Sequence, residues 1–83
     1  MTKMEYAMKQ NSREIEQVEK KIIDSLEAIK RSTERALAAE NKAFSTDISS
    51  IACYAAELKM AQEKLELLHQ HRQTLEMLAA DED

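Results

Sequence analysis

Apolar or small residues recur along the first half of the chain at helical spacing. Met4, Met8, Ile15, Val18, Ile22, Leu26, Ile29, Thr33, Leu37 and Phe44 form one row. From Ile15 onward the steps are mostly three and four, which keeps one face apolar over many turns and predicts a long amphipathic helix. Glu40 interrupts the row. Acid–base pairs four apart support the same helix: Glu5 before Lys9, Glu16 before Lys20 and Glu27 before Arg31. Two capping boxes compete for its start, Thr2 with Glu5 and Asn11 with Glu14. The pattern predicts a firm helix over about 12–41. Residues 1–11 are then a weakly ordered or helical N-terminal extension, helical only if something covers Met4 and Met8.

The second half repeats the logic as a cleaner heptad: Ile51, Tyr54, Leu58, Ala61, Leu65, Leu68, Arg72, Leu75 and Ala79. Arg72 is the clear exception to its apolar character. A second helix over about 46–79 follows. Asp81, Glu82 and Asp83 oppose the helix dipole at its C-terminus, so residues 80–83 form an acidic tail and the last turn frays near Ala79. Between the two periodic segments, Ser45, Thr46 and Asp47 are consecutive N-cap formers ahead of Ile48 and Ile51. Asn41 suits the left-handed conformation that ends helices. A stop followed by a start places a turn near 41–46.

The fold this predicts is all-α: an antiparallel, coiled-coil-like two-helix hairpin over 12–79. One continuous helix is the alternative, because neither glycine nor proline occurs to force a break. Alanines on both sides of the turn (Ala36, Ala38, Ala39 and Ala43 before it; Ala52, Ala55 and Ala56 after it) favour the hairpin, since small residues let the arms approach closely.

Composition agrees with helices and excludes several functions. Of 83 residues 43% are hydrophobic, 34% are charged and none is tryptophan, the usage of amphipathic helices rather than of sheets or disordered chains. A net charge of -4 argues against a nucleic-acid binder, which needs a basic stripe to neutralise phosphates. The N-terminal "MTKMEYAMKQ" lacks the apolar run of a signal peptide, and no segment approaches a transmembrane span. One cysteine, Cys53, allows no internal disulfide. Together these features predict a cytoplasmic protein.

Candidate chemistry is sparse. His69 and His71 are two apart and point to opposite sides of a helix, whereas metal-binding pairs on helices need spacings of three or four. Cys53 has no fixed basic group in its sequence neighbourhood and reads as a small buried hydrophobe rather than a reactive thiol. No phosphate loop is available without glycine. Lys30, Arg31, Arg35 and Lys42 make a modest basic patch, diluted by Glu27 and Glu34, that reads as a solvated face. The expectation is a protein that is not an enzyme and uses no cofactor or metal.

Binding is more legible. A two-helix hairpin has one seam and few enclosed positions, so it is completed by a partner or by dimerisation. The first arm shows one apolar face, with Ile23 on its flank. The second arm shows two: opposite its heptad lie Cys53, Ala56, Met60, Leu67, His71 and Leu78, spaced by three, four and seven. A periodic stripe of Met and Leu outside a seam predicts a helix-docking surface. These six residues are the predicted partner-binding site. An isolated chain is expected either to self-associate by covering the Met60–Leu67 stripe, as in a homodimer, or to be only marginally stable.

A small acidic α-hairpin of this kind resembles the YscE/PscE/EscE-type co-chaperones of bacterial type III secretion. The resemblance runs over about residues 12–79, through "SREIEQVEKKIIDSLEAIKRSTERALAAE", the polar turn and "AAELKMAQEKLELLHQHRQTLEML". It is one of pattern and size, without a diagnostic motif, so it assigns no individual residue a role. It implies a tetratricopeptide-like chaperone as direct partner and, through it, a secreted needle subunit kept monomeric in the cytoplasm. The alternative is a self-associating coiled coil acting as a scaffold, with no role in secretion.

Overall fold

The computed structural model describes residues 2–40 and 46–81. They form two α-helices of equal length, α1 over Lys3–Ala38 and α2 over Thr46–Asp81, packed along one another as a hairpin 65 Å long and 18 × 12 Å in section. Each helix has 36 residues, about 54 Å at 1.5 Å per residue, so the arms lie side by side over nearly their full length. The predicted hairpin is the observed fold. The proposed turn at 41–46, with Asn41, Phe44 and the capping role of Ser45, falls largely outside the described residues, as do Glu82 and Asp83.

α1 begins nine residues earlier than the periodicity alone predicts. Thr2 caps it: its Oγ1 accepts the Glu5 N–H at 3.1 Å, and its carbonyl takes the first helical bond from Tyr6 N–H at 3.0 Å. Asn11 does not cap a helix. It sits inside α1, 2% exposed, and its Nδ2 donates to the Leu68 carbonyl at 3.0 Å. Residues 3–11 are helical because α2 is long enough to lie alongside them, leaving Met4 and Met8 half-buried. At the other end α1 stops at Ala38, short of residue 41. Ala39 turns extended (φ -70°, ψ 140°) while its N–H still reaches the Ala36 carbonyl at 3.3 Å. α2 runs on to Asp81, two residues beyond the predicted fraying point.

The seam departs from the expected row on α1. Its buried residues are Asn11, Val18, Ser25, Ser32 and Ala36, with Met4, Met8, Ile15, Ile22 and Ile29 half-buried between them. These positions alternate strictly by three and four. Leu26 and Leu37, expected on the same face, are 51% and 66% exposed, and Thr33 is exposed too. The reason is geometric. α2 presents a strict heptad, and two helices stay in contact over ten turns only if both follow the 3.5-residue repeat. The four-residue steps linking Val18, Ile22 and Leu26 drift off that line, and the seam takes Ser25 instead.

On α2 the observed seam is the predicted one. Ala61, Leu68 and Leu75 are buried, and Ile51, Tyr54, Leu58, Leu65, Arg72 and Ala79 are half-buried. The apolar centre consists of Val18, Ala61 and Leu68, with Ile15, Ile22 and Leu65 packed against it.

Two polar clusters bracket this centre. At the open end Arg72 Nη1 donates to Ser12 Oγ at 2.8 Å and to the Met8 carbonyl at 3.1 Å, and its Nε pairs with Glu76 at 3.2 Å. Near the turn Arg35 Nε pairs with Asp47 at 2.9 Å, and its Nη2 donates to Ser32 Oγ at 3.2 Å. The exception in the heptad, Arg72, is therefore a cross-seam tie. Leu68→Ala should lower stability by about 2–5 kcal/mol through the cavity it opens, whereas Leu67→Ala, one residue along, should change it by less than about 0.5 kcal/mol. Urea unfolding at one fixed protein concentration checks this, and equal losses would contradict the seam.

Candidate partner-binding surface

The seam divides the hairpin into two broad flanks. A shallow groove on one flank is bordered by Gln17 and Lys21 of α1 and by Glu57, Met60 and Lys64 of α2, with Val18 and Ala61 as its floor. The opposite flank carries Ser12 and Glu76, the residues that reach Arg72 beside the seam. Every other residue's flank follows from these by seven-residue spacing.

The predicted stripe lies on the groove flank and the outer surface of α2, and all six of its residues are exposed. Met60 is 69% exposed, Leu67 64% and Leu78 50%. They do not form one line. Cys53, Met60 and Leu67 are seven apart and make a single row. His71 and Leu78 form a second row beside it, closer to α1, in register with Glu57 and Lys64. Ala56 lies on the far side of the first row, pointing most directly away from α1. Met77, 70% exposed, shares the Ala56 row at three heptads' distance and extends the apolar surface. That spacing was legible in the sequence, but Met77 lay outside the expected set.

Exposure of Cys53 corrects the expectation of a buried thiol. It lies on a row of α2 that the seam leaves uncovered, so within this chain it has nothing to be buried against. His69 and His71 are both exposed, and among the described residues no group of three or more His, Cys, Asp or Glu is placed to hold a metal ion. Lys30 and Arg31 are exposed, Arg35 is engaged with Asp47, and Lys42 lies outside the described residues. No described helix is long and apolar enough to cross a membrane.

The opposite flank holds a second apolar group. Leu26 is two heptads from Ser12, and Ile48, 45% exposed, is four heptads from Glu76, so both lie on that flank. Ile23, 55% exposed, and Leu37 lie one row farther out on α1. The small Ala52 and Ala55 of α2 share this flank. Most of α1's exposed apolar surface is thus concentrated there, in the half of the hairpin nearest the turn. The first arm has two faces as the second does. The sequence conceals this, because Leu26 and Leu37 also satisfy a 3.6-residue reading of the seam.

Comparison with protein-family models, with curated proteins and with solved structures returns no match to the chain. What the fold and surface define is an α-helical hairpin with apolar stripes on both sides of its seam.

An exposed Cys53 carries its own check. In the native chain the thiol should react with an aromatic disulfide reagent at a rate within a few-fold of that in urea, because neither helix covers it. Strong protection in the native state would mean that the outer row of α2 is covered.

Proposed function

We propose that the chain is a small co-chaperone that docks, through the outer rows of α2, onto a tetratricopeptide-like chaperone, and so helps to hold a type III secretion needle subunit in the cytoplasm. The observation that carries the docking is the exposure of Met60 and Leu67, one heptad apart on a continuous helix and outside the seam. Scattered surface hydrophobes are ordinary, but a row at fixed spacing matches what a groove between helices accepts. The thin core supports the same reading. Of the five buried residues of α1 only Val18 and Ala36 are apolar, so much of the apolar surface of this chain awaits cover from outside. The secretion partner is drawn from the resemblance in size and pattern.

A self-associating structural coiled coil is the second reading, favoured by the unbroken alternation of three and four along both helices. The two readings separate on partner capture. Met60→Asp and Leu67→Asp should each weaken capture of the chaperone at least about thirtyfold, the equivalent of the ~2 kcal/mol of an interface hot spot, while circular dichroism shows helicity intact. Leu65→Asp should instead unfold the hairpin, because Leu65 packs against the core. Arg31→Glu, on the exposed side of α1, should leave capture unchanged. Undiminished capture by the Met60 and Leu67 variants would remove α2 as the docking surface. Failure of any tetratricopeptide-like protein to co-purify from the native host would leave the coiled-coil reading.

A further inference from the structure

We infer that the flank opposite the groove is a homodimer interface, on which a second copy of the hairpin lies turn beside turn about a two-fold axis parallel to the helices. The apolar patch there is formed by Ile23, Leu26 and Leu37 of α1 and Ile48 of α2, each between 45% and 66% exposed. The occupant is identified by self-complementarity. Residues 11 and 68 are tied across the seam, and residues 18 and 61 share the core centre, which fixes the register of the arms. In that register Ile23 lies level with residue 56 and Leu26 with residue 53. A two-fold axis along the hairpin keeps every level and lays α1 of one copy over α2 of the other. The bulky Ile23 and Leu26 then meet the small Ala52 and Ala55, large against small as helix packing requires.

One charge pair fits the same pairing: Glu19 comes within one residue of the level of Lys59 of the other copy, a contact that occurs twice by symmetry. Glu66 falls between the levels of Lys9 and Glu16 and favours neither, and Glu76, near the level of Glu5, is held by Arg72 of its own helix. Lys30 has no acid at its level across this interface. Its stem lies along the patch and its ammonium reaches the rim, beside Glu27 and Glu34 of its own helix. The competing axis, perpendicular to the helices and centred on the patch, fits worse. It would set Lys30 against Lys30 of the other copy. An axis along the helices also overlaps the whole 65 Å length, the largest burial open to so thin a rod. The product is a four-helix bundle with both Met60–Leu67 rows facing outward, so two chaperones could dock on one dimer. This inference is independent of the docking proposed for α2.

Sedimentation equilibrium of the full chain, followed by cysteine cross-linking, tests it. The wild type should sediment at twice its 9.5 kDa chain mass, and Leu26→Glu should reduce the mass to that of one chain at the same concentration with helicity retained. Met60→Asp should leave the dimer intact. In a Cys53→Ser background, Leu26→Cys mixed with Ala55→Cys should give the mixed disulfide in preference to either self-linked product. A wild type that stays monomeric at all concentrations, or a dimer dissolved by Met60→Asp but not by Leu26→Glu, would overturn the inference. Preferential self-linking of Leu26→Cys would overturn the axis. Should Leu26→Glu lose helicity, Ala55→Arg, at a position already exposed, reads the same interface without touching α1.

Discussion

The strict 3.5-residue repeat of the seam is the constraint on which the rest of this structure depends. Among the described residues there are two helices and no third element to compensate if either arm rotates away from the other. Contact over ten turns therefore requires both helices to present residues at alternating steps of three and four. α2 meets this with Ile, Leu and Ala at nearly every position. α1 meets it only by placing Asn11, Ser25 and Ser32 in the contact line and turning Leu26 and Leu37 outward.

Polar seam residues weaken the core but tie the two arms together. Asn11 on the Leu68 carbonyl and Arg72 on Ser12 and the Met8 carbonyl link α1 to α2 in the observed alignment. Asn11 Oδ1 is buried and finds no partner among the described residues, a cost of about 1–3 kcal/mol that an apolar residue would avoid. At the turn end, Arg35 bridges Ser32 and Asp47 in the same manner. That pair is well exposed on its arginine side, so its contribution lies in alignment more than in stability.

The same constraint produces the surfaces. Apolar side chains that do not fit a 3.5-residue line are placed on the flanks, and they gather on different flanks of the two helices. Most of those of α2 cluster on the groove side and the outer surface, at Met60, Leu67 and Leu78; those of α1 cluster on the opposite flank, at Ile23, Leu26 and Leu37, where Ile48 of α2 joins them. A hairpin so built has two apolar sides and little interior, which suits a module completed by other chains on both sides.

Secondary structure, hairpin topology and the whole α2 seam were legible in the sequence, because a clean heptad and a cluster of capping residues are local signals. The outer stripe of α2 was legible for the same reason, being simply what a heptad leaves over. Three things were not. Thr2 and Asn11 each head a plausible capping box, and only the length of α2 lying beside residues 3–11 decides for Thr2. Leu26 and Leu37 fit a helix of period 3.6 as well as Ser25 and Ser32 fit one of 3.5, and the choice belongs to the partner helix. Arg72 reads as a flaw in its own heptad until α1 brings Ser12 and the Met8 carbonyl to it. Periodicity within one helix determines which residues can share a face, but which of two near-equal faces becomes the interior is decided by the helix packed against it.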